Sequence, residues 1–235
     1  MPTEHLHGDR TVVADPAWVG PAVLAALPLV GAGLGWGLVL IAEWITGLAW
    51  FPFQGLFELV ADLPRTVQIV GGTALGLVAG LVLALWVVSE MLAVTVGRDA
   101  VGLKRGDLDE TVPRADIAAV FVEDKRLVVL GHRRQELAQV PFDLDREALA
   151  AALRRHGYGP MPDGDPYRGE LKRWVPGADG LPPGADALLK ARERALEKSN
   201  EGDLRELREE LAAIDVVVRD RGKKQYWRLA DPARP

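Results

Sequence analysis

The chain of 235 residues carries 28 Lys plus Arg against 33 Asp plus Glu, a formal net charge of -5, and it contains no cysteine. Disulfides, thiolate nucleophiles and cysteine-ligated zinc are thereby excluded, and the mildly acidic balance excludes a global basic field that would draw the whole molecule onto nucleic acid. The charge is unevenly spread: the first 97 residues hold 2 basic and 7 acidic side chains, whereas residues 98–235 hold 26 of each, so an apolar N-terminal third precedes a neutral, densely charged remainder.

Residues 1–18 read as an N-terminal tail containing His5 and His7. Two stretches without a charged side chain follow, residues 21–42 and 66–89. At 1.5 Å per helical residue they reach about 33 and about 36 Å, against a hydrocarbon core of roughly 30 Å. A cleaved signal peptide does not fit, because Glu4, Asp9 and Asp15 outnumber Arg10 ahead of the first run, and that run is longer than a signal core. The expectation is a transmembrane hairpin over residues 19–92 in the cell membrane. Arg98, Lys104 and Arg105 follow the second helix and the connecting loop offers only Arg65, so both termini are expected on the cytoplasmic side. Within the loop, Phe53, Leu56, Phe57, Val60 and Leu63 fall at helical spacing opposite Gln54, Glu58 and Asp62. With Trp44, Trp50 and Phe51 as aromatic anchors, they predict a short amphipathic helix in the interface.

Both apolar stretches carry glycines four apart: Gly31 and Gly35, with Gly33 and Gly37, in the first, and Gly72, Gly76 and Gly80 in the second. Such spacing removes bulk from one helix face and lets backbones approach, so a tight hairpin or a homodimer through the glycine faces is expected. Transport by one copy is disfavoured, since Glu43 and Glu90 lie beyond the ends of the uncharged runs and leave no ionisable group at mid-membrane.

Alternating apolar residues then predict short strands around Leu92 to Val96, Val101 to Leu103, Ile117 to Val122, Leu127 to Leu130 and Leu137 to Val140, with turns at residues 97–99, 105–107, 123–125 and 131–132. A helix closes the block, opened by Asp143 or Asp145, with Leu149 and Leu153 inward and Gly157 at its end. Antiparallel strands capped by one helix make a β-barrel of pleckstrin-homology (PH) type over residues 93–158. The run from Val94 to Leu103 and that from Val112 to Ile117 resemble the bacterial PH-like domains that follow membrane hairpins. Inositol-phosphate recognition would need several cations at the first hairpin loop, and Gly97, Arg98 and Asp99 supply one cation beside one anion. Arg133 and Arg134 with Lys125 and Arg126 read as solvated turn charges or a basic rim.

Residues 159–182, rich in Pro and Gly, read as a linker in which Tyr167, Leu171 and Trp174 pin a short helical piece. Beyond it, Leu188, Leu189, Arg192, Ala195 and Leu196 predict one helix and Leu204, Leu207, Leu211 and Ile214 a second, broken at residues 200–202. A hairpin turning between Asp220 and Lys223 completes an α+β module over residues 183–232. The run from Leu188 to Ala195, that from Leu204 to Leu211, the segment Val217 to Asp220 and the pair Trp227 and Arg228 are similar to the C-terminal anticodon-binding domain of cysteinyl-tRNA synthetases. Together with the hairpin and the PH-like block, the arrangement resembles the YqeB-type membrane proteins of Gram-positive bacteria.

That resemblance implies contact with RNA by the module, and Arg192, Lys223, Lys224, Tyr226 and Arg228 are the candidate residues for RNA or for a protein partner. Alternation along the strand puts Tyr226 and Arg228 on one face and Trp227 on the other, which reads as core. The synthetase nucleotide-binding signatures are absent. The four histidines, His5, His7, His132 and His156, show no spacing for a metal or a catalytic base and are expected to be solvated, and no phosphate-binding glycine loop with its lysine is present. No cofactor, metal or catalytic residue is therefore expected. The sequence predicts a non-enzymatic, membrane-tethered adaptor held in the lipid bilayer and engaging a protein partner, with a membrane-anchored RNA-binding protein as the alternative.

Overall fold

The computed structural model describes residues 5–7, 9–46 and 64–231. The predicted interfacial helix over residues 53–63, with Trp50 and Phe51, lies outside them. The chain divides into two compact units. One comprises residues 14–93 with 105–107, and the other comprises residues 94–104 and 108–235 together with the N-terminal strands.

The first unit is built on two antiparallel helices, α1 (Val19–Thr46) and α2 (Arg65–Ser89). Both are long and apolar enough to cross a membrane, and their outer faces expose large side chains such as Leu29, Leu34, Leu75, Val82 and Trp86. The glycines are what let the helices meet. A Cβ added at Gly31 would strike the Gly76 carbonyl, one at Gly35 the Gly72 carbonyl, and one at Gly80 the backbone of Leu27 and Pro28. Gly33, Gly37 and Gly71 have nothing within 4 Å of such a Cβ and lie on open faces. Ala84 continues the contact stripe and is fully buried. At the end of α2 the Gly106 N–H donates to the Ser89 carbonyl at 2.8 Å, and Arg105 lies 3.6 Å from Glu90.

The second unit opens with strands where a tail was expected. β1 (His5–His7) pairs antiparallel with β2 (Arg10–Ala14), placing His5 opposite Val12 and His7 opposite Arg10. These strands extend a five-stranded sheet in the order β1, β2, β3 (Ala93–Gly97), β4 (Ala100–Arg105) and β5 (Leu108–Pro113). The physical cause is the alternation in β2, where Thr11 and Val13 are buried while Arg10 is exposed. A second sheet runs β6 (Ile117–Glu123), β7 (Arg126–Gly131) and β8 (Glu136–Pro141), and α3 (Arg146–Arg155) follows, its N-terminus capped by the Asp145 carboxylate. The two sheets are open, so the expected barrel is replaced by a five-stranded and a three-stranded layer. Val94, Val96, Val101, Leu103, Leu127, Leu149 and Leu153 form the interior. His156 is buried as well, with its Nε2 2.8 Å from the Thr11 hydroxyl, because the N-terminal strand packs where solvent was expected.

β7 is apolar at four consecutive positions, Leu127 to Leu130, and all four are buried. A strand covered on both faces reads this way, whereas one with a wet face alternates. One face completes the PH-like interior. The other carries Val128 and Leu130, with Phe121 of β6 beside them, and is covered by Tyr167 from the Pro and Gly-rich segment. In that segment the predicted helical piece is a single 3-10 turn, Arg168–Glu170, and a strand, β9 (Lys172–Arg173), follows it. The C-terminal module contains α4 (Ala185–Lys198), α5 (Glu201–Ala213), β10 (Val216–Arg221) and β11 (Lys224–Leu229), in a sheet ordered β10, β11, β9. Ser199 in the left-handed region and Asn200, whose side chain accepts from the Asp203 N–H, separate the two helices. Trp174, Leu189, Leu211, Val216, Val218 and Trp227 form the module's own core, so the module starts before residue 183.

Candidate functional site

The strand pair β10–β11 has two unlike faces, and they decide the fate of the predicted binding residues. On the helix-facing side, Arg192 of α4 is buried and forms a two-pronged pair with Asp220, at 2.5 and 2.7 Å. Its Nη1 also donates to the Gln225 side-chain oxygen at 3.2 Å, and Gln225 in turn donates to the Leu189 carbonyl at 2.8 Å. A guanidinium fork matched to a carboxylate fixes the angle between α4 and the hairpin. Arg192 is thus committed inside the module and not offered to RNA.

The opposite face, bearing Arg219 and Arg228, lies against the β6–β8 sheet. Arg228 is 2% exposed; its Nη2 lies 3.3 Å from the Asp165 carboxylate and its Nη1 donates to the Arg134 carbonyl at 2.9 Å. Arg219 reaches Glu136 of β8, Glu123 of β6 at 3.6 Å and Asp165 at 3.7 Å. Arg208 of α5 donates to the Gln139 side chain of β8. Burial pushes the Arg208 pKa down from its ordinary value, opposed by the neighbouring Glu136 carboxylate. Three carboxylates and three guanidiniums therefore meet between the PH-like sheet and the module. Asp165 is 1% exposed and also accepts from the Tyr167 N–H at 2.8 Å, which holds the linker turn in place. Arg134 stacks 4.4 Å over the Tyr167 ring and bonds Glu170, and Arg126 lies 3.9 Å from Glu201, so the predicted basic rim is in part tied up.

Of the five residues singled out for RNA or partner binding, Arg192 and Arg228 are interior, while Lys223 and Lys224 are exposed at the hairpin tip and Tyr226 is half-buried beneath Arg221, whose guanidinium lies 4.7 Å from its ring. Trp227 is core, as the strand alternation predicts. Among the cations that follow α2, Arg98 pairs with Asp9 at 2.9 Å and Lys104 is exposed. Sequence reasoning missed Asp165, Glu123, Glu136 and Arg219. The signal available was the four-residue apolar run of β7, which demands a second covering layer, together with an acid set between two prolines of the linker.

A smaller recess of about 120 Å³ lies between β6 and the end of α3, lined in part by Arg114, Leu153 and Tyr158. Arg114 donates to the carbonyls of His156 and Gly157 at 2.6 and 2.5 Å, and lies 4.6 Å over the Tyr158 ring. A cation at a helix C-terminus meets the negative end of the helix dipole. The Tyr158 phenol is raised from its ordinary pKa by burial, with Arg114 opposing and Asp99 reinforcing the shift. Among the described residues, no group of three or more His, Asp or Glu side chains is placed to hold a metal.

Two membrane-length helices, PH-like sheets with a capping helix and a docked α+β module define a class: a PH-like domain carried on an apolar hairpin. Comparison agrees, since the YqeB-like bacterial PH domain profile matches residues 11–160, which takes in β2 from Thr11 onward and both membrane-length helices. The chain belongs to that family. It is 37% identical over 211 residues to the protein YqeB of Bacillus subtilis (strain 168), described as uncharacterized, covering 90% of this chain and 88% of the relative. Residues 178–228 match the cysteinyl-tRNA ligase anticodon binding domain. No solved structure matches.

Proposed function

We propose that this protein is a non-catalytic, membrane-anchored adaptor whose PH-like domain and docked C-terminal module act together at the cytoplasmic face. The observation that carries this reading is the hairpin itself: two helices joined through glycine backbones, with bulky apolar side chains turned outward. Water would penalise that outer surface, and lipid would not. The flanking charges favour the orientation, with Arg98, Lys104 and Arg105 beyond α2 and Arg65 at the loop side. The PH-like domain follows α2 directly, and the module is locked to it through Asp165, so a partner would meet one composite surface.

The absence of native cysteine makes the test direct. With single substitutions in full-length protein in intact cells, an impermeant maleimide is expected to label Gln54→Cys, and Lys198→Cys only after lysis. The reverse pattern refutes the orientation, and recovery of the chain in the soluble fraction refutes the anchor.

The match of residues 178–228 to an anticodon-binding domain favours a second reading, RNA binding. It would fall to Lys223, Lys224 and Tyr226, since Arg192 and Arg228 are enclosed. Binding of tRNA that weakens steeply with salt, as counterion release requires, supports it. No binding at low salt removes it.

A further inference from the structure

We infer that the edge formed by β9 and the β10–β11 turn is a cationic platform that rests on an anionic bilayer surface by contacting lipid phosphates. Register brings the cations together: Lys172 and Arg173 pair with Trp227 and Tyr226, while Arg221 pairs with Lys224 across a turn containing Lys223. All five cations are exposed, and none forms an ion pair among the described residues. Three of the neighbouring acids are already engaged: Glu170, two residues before Lys172, holds Arg134. Asp220 holds Arg192, and Asp186 accepts from the Trp174 indole and the Gly177 N–H, each at 3.0 Å.

The chemistry of this edge suits a diffuse array of phosphates better than a nucleic-acid strand. Recognition of single-stranded RNA uses rings on which bases stack. Here Arg221 covers Tyr226, Lys172 lies 5.8 Å from the centre of the Trp227 ring, and Trp227 is itself buried. The arginines geometrically suited to two-pronged contacts, Arg192, Arg219 and Arg228, are enclosed in ion pairs. What remains is a cluster of exposed cationic heads whose attraction to anionic lipid is summed over the charges and screened beyond a Debye length of about 8 Å at physiological salt. The inference rests on the anchored reading above, which keeps a bilayer within reach of the module.

The test uses the full chain reconstituted in nanodiscs of phosphatidylcholine alone or mixed equally with phosphatidylglycerol. Amide hydrogen exchange over residues 172–173 and 221–224 is expected to slow about tenfold in the anionic discs. The effect is expected to fade with added salt and to be lost in the Lys223→Glu, Lys224→Glu double variant, whose β7 amides still exchange as in the parent. Equal exchange in both lipids overturns the inference. Protection by an oligouridylate in neutral discs, without any dependence on lipid charge, overturns it in favour of nucleic acid. Failure of the chain to enter discs at all sinks the anchor, and the platform with it, whereas insertion without charge-dependent protection sinks the platform alone.

Discussion

The helical hairpin and the contact between the PH-like sheet and the C-terminal module solve the same problem, holding two elements at close range, by opposite means. In the hairpin the side chains are removed: Gly31 and Gly35 meet Gly72, Gly76 and Gly80 backbone to backbone. In the proposed bilayer setting, lipid tails would be as apolar as leucine, so burial would give no gain there and dispersion at short range would have to supply the attraction. At the module contact the side chains are long and charged, with Arg219, Arg228 and Arg208 against Glu123, Glu136 and Asp165. Desolvating such groups is costly, and the gain is in uniqueness of geometry more than in net stability. The hairpin should therefore be intolerant of added volume, and the module contact intolerant of a lost charge.

The largest effect is expected at the helix crossing. Gly76→Val drives a branched side chain into the Gly31 carbonyl and should lower stability by about 3 kcal/mol, read as thermal unfolding in detergent. Gly33→Ala and Gly37→Ala, on open faces, should stay within about 0.5 kcal/mol of the parent. If Gly76→Val is equally harmless, the close crossing is wrong.

Next comes the buried network. Asp165→Asn takes from Arg228 its paired carboxylate, while Arg219 keeps Glu136 and Glu123, and should cost about 3 kcal/mol or slightly less in chemical denaturation. Asp163→Asn, two residues away at an exposed ion pair with Arg146, should cost no more than about 0.5 kcal/mol. Equal effects at the two positions would erase the distinction between them. Arg192→Lys keeps the charge but loses the fork onto Asp220, and about 2 kcal/mol is expected to go with it.

A smaller loss, about 1 kcal/mol, is expected for Thr11→Val, which deletes the partner of His156 and tests whether the N-terminal strand belongs to the domain. Unchanged unfolding would return residues 9–14 to the status of a tail.

Last is an alkaline effect. The Tyr158 phenol is held above its ordinary pKa of 10.0, so the folded state binds its proton more tightly than the unfolded one. Its contribution is complete below the unfolded value and disappears as pH rises through the folded value. Spectrophotometric titration should show one tyrosine ionising late, and Tyr158→Phe should remove that step together with part of the alkaline loss of stability.

The apolar hairpin, the capping helix and the hairpin of the module were legible in the sequence because each is written in local periodicity. Two uncharged runs, Leu149 and Leu153 four apart, and the alternation that sets Trp227 apart from Tyr226 each mark a core-facing position without reference to distant residues. Tertiary structure alone decided where β2 goes, since Thr11 and Val13 alternate over too few positions to outweigh the charges around them. It also decided that the two sheets remain open and that Arg192 and Arg228, surface cations by residue type, are interior. A guanidinium is buried only when carboxylates converge on it, and Asp165 lies 63 residues from Arg228 along the chain. No periodicity in either segment encodes that meeting; only the folded backbone brings the two charges together.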